Sequence, residues 1–391
     1  MIPNYYEFHC PVKILSGHQA LQNLPYEMGL LGVKKALLIT DKGVVGAGLL
    51  KKVRAAIEGS QVKIGAVFDE TPIDSDHHVV NKVAGIYRDK GCDCIIALGG
   101  GSAIDTAKGV NIVISTDTDD LMKFQGMDRI EAQMRPFIVI PTTAGTGSEV
   151  TQAAVIKDTD INIKRAFISD KLYPHLALLD PEMTLTMPAR ITAATGMDAL
   201  THSVEAFADL QKNPMSDAFA TASVQLVFQY LTTAITKPDD KSARLAMANA
   251  ALMGGISFSN AMVGIVHSIA HATGAVAHVP HGVANSILLP WGMEYNLAKS
   301  AGNYAELLHY MGVKDAPTRK RDRAKAAVQA VRDLQAKLHK LCGLPTTLSD
   351  AGVTQEQLPQ IAHVAVNDGS LIHNPVEADE KDLLKVLKKA F

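Results

Sequence analysis

Cysteine, aromatic side chains and an excess of charge of either sign are all scarce in this sequence. The four cysteines, Cys10, Cys92, Cys94 and Cys342, follow no repeated spacing, which excludes a disulfide framework and a cysteine-based zinc site. The formal net charge of -2 gives no basic surface for nucleic acid. Because the first residues also lack the basic start and apolar run of a secretory signal, we expect a cytoplasmic protein in a reducing compartment.

Charge is absent altogether from one long segment. Residues Leu245 to Met293 contain no Asp, Glu, Lys or Arg. A membrane-spanning helix needs about twenty mostly apolar residues, whereas Asn249, Asn260, Pro280 and four histidines interrupt this segment. The segment therefore predicts helices that are packed on all sides inside a domain.

The length of 391 residues predicts two domains, with a cleft between their cores. In the first half, apolar runs alternate with amphipathic segments, which is typical of a mostly parallel α/β sheet with crossover helices. We predict this α/β domain over residues 1–185 and an all-helical domain over residues 186–391. Cys92 and Cys94, two apart on one strand, are predicted to be buried thiols on one face. The predicted strands are Lys35–Thr40, Val62–Phe68, Cys92–Leu98 and Phe137–Ile140, and the predicted helices are Gly48–Ile57, Asp76–Lys90, Ser102–Ile114, Ala189–Leu210, Ser216–Ile235 and Ala243–Thr273.

A glycine-rich turn follows one predicted strand directly. The strand Cys92–Leu98 leads into Gly99, Gly100, Gly101 and Ser102, and a helix begins next. Backbone N–H groups in such a turn can approach a pyrophosphate, and the dipole of the following helix favours negative charge. The turn lacks the G-x-G-x-x-G spacing, so a simple tight turn is the alternative.

Two further segments support a dinucleotide site. Asp41 follows the first apolar strand, where a carboxylate accepts hydrogen bonds from a ribose 2′-OH and repels a 2′-phosphate. This favours NAD over NADP, although a helix cap is the common role of such an Asp. The segment Thr142–Ser148, at the end of the strand Phe137–Ile140, offers hydroxyls and backbone donors for ribose and phosphates.

Histidines in the charge-free segment predict a metal site. Asp198 and His202 are four apart on a predicted helix, so both project from one face, and His267 and His271 repeat that spacing. His281 follows after a turn marked by Pro280. Buried imidazoles require partners, and one carboxylate with three imidazoles binds a divalent metal with open coordination. The alternative is that each histidine is an ordinary core or surface residue.

These motifs resemble the iron-containing (group III) alcohol dehydrogenase family along nearly the whole chain. The resemblance implies a Rossmann-like N-terminal domain and a helical metal-binding domain, the architecture shared with dehydroquinate synthase. It implies that Asp198, His202, His267 and His281 bind the metal, and that His271 transfers a proton. Two departures are Ala103, where the family commonly has proline, and an atypical segment Asn367–Pro375. The motifs are Ile39–Asp41, Gly99–Lys108, Pro141–Glu149, Ala194–His202, Val266–His271 and Pro280–Gly282, and the residues assigned to the cofactor are Asp41, Gly99, Gly100, Gly101, Ser102, Asp105, Thr142, Thr143, Thr146 and Ser148.

The sequence-based hypothesis is an NAD-dependent alcohol dehydrogenase that transfers hydride from a metal-bound alkoxide to the nicotinamide. The resemblance favours iron(II), while intrinsic affinity favours zinc. A small primary alcohol or diol is expected, and we expect a homo-oligomer without a membrane anchor. The alternatives are a glycerol dehydrogenase-like polyol oxidoreductase, a dehydroquinate synthase-like lyase, and a non-catalytic protein on the same fold that senses nucleotide or metal. The lyase requires many basic contacts, which residues 245–293 lack.

Overall fold

The structure, a computed structural model, describes residues 3–160 and 163–391. It divides into two compact units: His9–Thr186, and Met187–Phe391 joined by the N-terminal segment up to Phe8. Phe8 belongs with the second unit, where its ring stacks on Phe219 at 5.9 Å between centroids. The predicted boundary after residue 185 lies beside this division, and two independent domains stay a prediction. Residues 1 and 2, which the predicted first domain includes, lie outside the described residues.

The first unit is built on a six-stranded parallel sheet with the strand order β1-β9-β6-β4-β2-β3. The central strands are continuous apolar runs because helices cover both faces. A smaller sheet holds β5, β8 and β7, of which the last two form an antiparallel pair. The strands are β1 Lys13–Ser16, β2 Lys35–Ile39, β3 Lys63–Phe68, β4 Cys94–Gly99, β5 Gly126–Met127, β6 Phe137–Pro141, β7 Ala153–Asp158, β8 Ile163–Ile168 and β9 Leu176–Leu179, and the helices are α1 Leu24–Leu30, α2 Lys42–Gly46, α3 Leu49–Ile57, α4 His77–Asp89 and α5 Gly101–Ser115.

Alternate residues of the central strands enter two separate cores. Ile95 and Ala97 pack on one side of the sheet, whereas Cys94 and Ile96 pack on the other. Both Cys92 and Cys94 are buried, as predicted. The prediction that they share one face is wrong: β4 begins only at Cys94, so Cys92 lies outside the alternation and packs in the opposite core.

The second unit contains helices and no strand among its described residues. Helix α6 packs against α7, α8 and α10, and much of the charge-free segment is buried there, although His271, Ala275, His278 and Pro280 are exposed. The predicted all-helical architecture is confirmed. The helices are α6 Ala189–Ala208, α7 Pro214–Thr236, α8 Lys241–Ala261, α9 Ile265–Ala277, α10 His281–Leu307, α11 Lys320–Cys342, α12 Leu358–Ala365 and α13 Glu380–Ala390.

One helix, α7, has the length and apolar composition of a membrane span among the described residues, and α8 with α9 passes the same test only as a bent pair. Helix α7 is tied into the bundle by polar side chains. Ser223 on α7 donates to the carbonyl of Ala250 at 2.8 Å and accepts from Ser203 at 2.7 Å. Both serines are fully buried.

The single helix predicted over Ala243–Thr273 is wrong, because the chain breaks between α8 and α9. The two helices are bent by 105° across Met262, whose φ of 70° lies in the left-handed region. Side chains from distant parts of the chain cap the new helix: Glu205 accepts from the N–H of Val266 at 2.7 Å, and Asn374 accepts from that of Ile265 at 3.1 Å. The break places His267 in the first turn of α9.

Candidate functional site

The glycine turn lies at the carboxyl end of β4 and begins α5. Gly100 is the N-cap residue of α5, and no side chain caps this end of the helix. The backbone N–H groups of the first turn therefore face outward with the positive end of the helix dipole. Directly after the adjacent strand β6, the N–H of Thr142 bonds to the carbonyl of Gly99 at 3.0 Å. The turn and the segment Thr142–Ser148 thus lie side by side at the carboxyl end of the central strands.

Glycine suits this turn because the neighbouring segment approaches it closely. A Cβ atom on Gly100 would lie 3.0 Å from Oγ1 of Thr143, and one on Gly101 would lie 3.1 Å from Cγ2 of Thr146. A larger residue at either position would push the two segments apart. The predicted cradle elements Gly99–Gly101, Thr143 and Thr146 are therefore brought together.

Asp41 caps α2 in the structure. Its Oδ1 accepts the N–H of Val44 at 2.9 Å, which is the alternative role that the sequence allowed. Its Oδ2 faces the glycine turn, 3.8 Å from the position of a Cβ on Gly99. One carboxylate oxygen thus holds the helix while the other lies beside the glycine turn.

Asp105 and Ser148, both assigned to the cofactor, bind each other. The hydroxyl of Ser148 donates to Oδ1 of Asp105 at 2.9 Å, and the N–H of Val155 donates to Oδ2 at 3.0 Å. Both carboxylate oxygens are therefore used inside the protein, and burial raises the pKa of Asp105. Ser102 is engaged similarly, since its hydroxyl donates to the carbonyl of Ile73. In the structure these residues anchor the cradle.

Lys108 belongs to one of the sequence motifs, but the sequence analysis assigned it no role. It is almost fully buried, and its Nζ donates to the carbonyls of Ser148, Thr151 and Ala153 at 2.9, 2.9 and 2.7 Å. Burial lowers the pKa of Lys108 to about 8, although Asp105 raises it. A lysine inside an apolar helix is the signal that identifies such an anchor, because a buried ammonium requires several acceptors.

In the helical unit, the four predicted metal ligands converge. Asp198 and His202 come from α6, His267 from α9 and His281 from the first position of α10. Ligand atoms from all four lie within 4.8 Å of one another. The first three are buried, and the side chain of His281 is 40% exposed. The four residues form a group that is open on one side only.

Glu205 fixes the orientation of His267. Its Oε2 lies 2.6 Å from Nδ1 of the imidazole, and two backbone N–H groups of α9 also donate to the carboxylate. We assign Nδ1 as the protonated nitrogen, which directs the lone pair of Nε2 into the group. Burial, together with the neighbouring imidazoles, lowers the pKa of His267 well below its usual range, so the ring is neutral. Burial raises the pKa of Glu205 to about 7, and backbone hydrogen bonds lower it.

Asn285 shows that this group fits a cation. Its Nδ2 lies 2.7 Å from Oδ1 of Asp198, 3.0 Å from Nε2 of His281 and 3.2 Å from Nε2 of His267. The Nδ2 amide group has only two hydrogens to donate to these three acceptor atoms. At least one acceptor lone pair therefore receives no hydrogen from Asn285. One carboxylate and three imidazoles suit iron(II), zinc and similar ions. The residues therefore fit a divalent metal.

His271 forms a hydrogen-bonded pair with Asp368 beside the group. Its Nδ1 lies 2.9 Å from Oδ2 of Asp368, and its ring stacks on His281 at 5.2 Å between centroids. Burial alone would raise the pKa of Asp368, but the bond to His271 and the donors of Ser370 hold it below its usual value. The carboxylate is therefore charged and orients the partly exposed imidazole.

Three residues around the metal group were not predicted from the sequence: Asn285, Glu205 and Asp368. Asn285 lies four positions after His281, and Glu205 three after His202, so helical spacing is the signal that identifies both. Asp368 has no such signal, because a loop far along the chain brings it to His271.

Comparisons with known proteins agree with this geometry. The family model "Iron-containing alcohol dehydrogenase" matches residues 11–181, and "Fe-containing alcohol dehydrogenase family, C-terminal" matches residues 192–391. The 1,3-propanediol dehydrogenase of Citrobacter freundii is 34% identical over 388 residues, covering 99% of each chain. A solved 1,3-propanediol oxidoreductase superposes with a TM-score of 0.95 at 33% identity, over 99% of this chain and 100% of that one. Sulfoacetaldehyde reductase from Bifidobacterium kashiwanohense, solved with NAD+, gives a TM-score of 0.87 at 28% identity, covering 99% of each chain.

Proposed function

Because the chain belongs to the iron-containing alcohol dehydrogenase family, we propose that it interconverts small primary alcohols or diols with their aldehydes, using NAD and iron(II). Family membership confirms the resemblance that the motifs predicted, and with it the oxidoreductase class. The observation that carries the proposal is the convergence of Asp198, His202, His267 and His281 within 4.8 Å. The roles of individual residues and the preferred substrate are our inference.

Asp198, His202, His267 and His281 would hold the ion, with Glu205 orienting His267. When bound there, a divalent ion supplies the Lewis acidity that makes a substrate hydroxyl acidic at neutral pH. Zinc is the alternative ion, because the same ligands bind it. The partly exposed side of His281 leaves room for a substrate oxygen.

The cradle of the α/β unit would bind the dinucleotide. The N–H groups at Gly99–Gly101 and the start of α5 would hold the pyrophosphate, and Oδ2 of Asp41 would accept from the ribose. Thr142, Thr143 and Thr146 line the same edge, while Ser102, Asp105 and Ser148 would contribute by fixing its shape. When bound, the dinucleotide supplies the nicotinamide that accepts the hydride.

His271 would carry the proton that leaves the substrate hydroxyl. Asp368 holds Nδ1, which leaves Nε2 for proton exchange, and the ring is 41% exposed to solvent. A positioned imidazole of this kind can pass a proton to water. Its stacking on His281 places it next to the metal group.

Substrate size is supported by the relatives, of which one acts on 1,3-propanediol by its name and another on methanol. The charge-free segment around the metal group also favours an uncharged substrate over the anionic substrate of a lyase. A cytoplasmic location is supported by four free thiols. A homo-oligomer is supported by the exposed Leu210 and Ile372, which are apolar side chains on adjoining segments.

The experiment is an absorbance assay at 340 nm with iron-loaded enzyme. Methanol, 1,3-propanediol, glycerol and their aldehydes are compared, each with NAD(H) and NADP(H). We expect turnover of short primary alcohols or diols that is lost on chelation and restored by iron(II). Preference for glycerol would favour the polyol alternative, and full activity after complete metal removal would overturn the proposal.

A further inference from the structure

We propose a second metal site in the α/β unit, formed by His77, His78 and Asp160. Its ligand would be a divalent ion of the zinc, nickel or copper(II) type. Ligand atoms from the three residues lie within 4.8 Å of one another, as in the first group. The site is distinct from the proposed catalytic one, since all three residues belong to the other compact unit.

The two imidazoles share one carboxylate. Nε2 of His77 lies 3.4 Å from Oδ2 of Asp160, and Nε2 of His78 lies 3.1 Å from Oδ1. Nitrogen and oxygen ligands bind zinc at about 2.0–2.2 Å, so tetrahedral ligands stand about 3.4 Å apart. The observed separations therefore admit a common ion with little movement.

The side chains are held before any ion binds. The rings of His77 and His78 lie 3.9 Å apart between centroids, tilted by 37°. Nδ1 of His77 lies 3.4 Å from the carbonyl of Lys157 and 3.4 Å from the N–H of Thr159, so the end of β7 holds the ring in place. Metal binding through Nε2 requires the proton on Nδ1, where the carbonyl of Lys157 can accept it. His77 is buried, with a relative exposure of 9%. An ordinary ion pair needs only one imidazole, so the second one makes metal binding the better explanation.

The local charges limit the affinity without preventing binding. Both histidines lie in the first turn of α4, where the helix dipole disfavours a cation. Asp76 caps this helix at 2.8 Å from the N–H of Val79 and offsets part of that charge. The neighbouring Lys164 is paired with Asp74 at 2.7 Å. Three protein ligands leave a coordination position for water, which is typical of an exchangeable site.

The ion would tie two elements together. His77 and His78 begin α4, whereas Asp160 follows β7, and the N–H of Lys157 on that strand already bonds to the carbonyl of Ser75 at 2.7 Å. Ser75 in turn donates to the carbonyl of Ser102 in the glycine turn at 3.0 Å. Occupancy should therefore protect β7 from local opening.

The test measures total metal per full-length, iron-loaded chain after equilibrium dialysis against zinc chloride. The variants His78→Ala and Asp160→Asn change exposed side chains, so folding should be retained. The matched control is His363→Ala, which removes an imidazole from an exposed pair with Glu380 at 3.1 Å that belongs to no group of three ligands among the described residues. We expect one additional metal ion in the native chain and the control, and its loss in both variants.

Hydrogen exchange provides a second readout. Zinc should slow amide exchange in β7 of the native chain and of His363→Ala, with no effect in His78→Ala or Asp160→Asn. Equal metal content in the native chain and either variant would overturn the proposal. Loss of the ion in His363→Ala as well would also overturn it, because the binding would then be a general property of surface histidines.

Discussion

Asp41 caps α2, and we propose that its carboxylate also selects NAD; substitution can separate the two roles. Asn is as good an N-cap as Asp, so Asp41→Asn should keep the bond to Val44 while removing the charge. Without that charge, a 2′-phosphate is no longer repelled. We expect kcat/KM for NADP relative to NAD to rise by about tenfold, equivalent to ~1.4 kcal/mol. Asp41→Ala, which also loses the cap, serves as the comparison. An unchanged ratio in Asp41→Asn would show that the carboxylate does not select the cofactor.

Asp368 should act through His271. Asp368→Asn keeps the shape of the side chain but removes the charge that holds Nδ1 protonated. We expect kcat to fall by about 10²-fold, as for other positioned acid–base groups, with a changed pH profile. Added imidazole should restore part of the rate in His271→Ala. If both variants keep the native rate and pH profile, the pair has no part in proton transfer.

Asp198 and His202 could be paired as proposed metal ligands from the sequence because helical periodicity is a local property. Asp198 and His202 share a helix face, and no tertiary information is needed to place them together. Asn285 lies four residues after His281 and so shares its helix face, but an uncharged side chain in an apolar helix does not by itself indicate a metal site. The partner of His271 could not be predicted from the sequence, because Asp368 is 97 residues away and approaches only in the folded chain.

At the scale of elements, Gly282 allows α10 to pack against α6. A Cβ there would lie 2.6 Å from the carbonyl oxygen of Ala194, which is backbone and cannot yield as a side chain does. Gly282→Ala should therefore displace the start of α10, which carries His281. We expect a loss of about 1–3 kcal/mol in unfolding free energy, the usual cost of overpacking, and reduced iron content.

The matched control for that change is Gly274→Ala on α9. A Cβ there would be 3.5 Å from its nearest neighbour, which is ordinary contact. Alanine should leave stability unchanged or raise it by about 0.5–1 kcal/mol. Urea unfolding followed by the fluorescence of Trp291, the only tryptophan, measures both in the helical unit. Equal behaviour of the two variants would contradict the packing argument.

Elements with a strong local pattern were predicted to within a few residues, and those that depend on tertiary contacts were not. Buried strands such as β4 and β6 can be predicted from their continuous apolar runs. The break between α8 and α9 has no such signal, since the mostly apolar sequence continues across it. The N–H groups at the start of α9 find their acceptors on Glu205 and Asn374, which lie far away in sequence. Periodicity contains no information about such caps.

For the helical unit as a whole, Asp209 should make stability depend on pH. Burial raises the pKa of Asp209 to about 8, and its Oδ2 is buried without a hydrogen-bond partner among the described residues. Between pH 4 and 8, by the pKa of about 3.9 for an unfolded Asp, the folded state keeps a proton that the unfolded chain has lost. The stabilisation is therefore complete below this window and is lost as the pH rises through it.

Asp209→Asn should abolish this dependence. We expect the native unfolding free energy to decrease relative to the variant by up to ~1.4 kcal/mol per pH unit inside the window. Urea titrations at several pH values, followed by Trp291 fluorescence, measure the difference. The control is Asp350→Asn at an exposed position of the same unit. Parallel pH profiles of the native chain and Asp209→Asn would contradict the argument.

Metal removal tests how the two units depend on the ion. The four ligands join α6, α9 and α10, so an ion present at about 1,000 times its Kd stabilises the folded helical unit by about 4 kcal/mol. Chelation of the iron-loaded, zinc-free protein should lower the unfolding midpoint reported by Trp291. Because all four ligands lie in the helical unit, hydrogen exchange in His9–Thr186 should change little. Equal losses of protection in both units would contradict this expectation.

Asn285→Ala should make the helical unit depend more strongly on the ion. In the metal-free protein the two amide hydrogens are shared among Asp198, His267 and His281, and their removal takes a donor from the buried Asp198 and His267. The metal-free variant should lose about 1–3 kcal/mol more stability than the loaded variant. Asn249→Ala, which removes an amide that bonds to the carbonyl of Leu245, should affect both forms equally. If Asn285→Ala also destabilises both forms equally, the amide does not stand in for the cation, because its loss would then be felt as a packing defect alone.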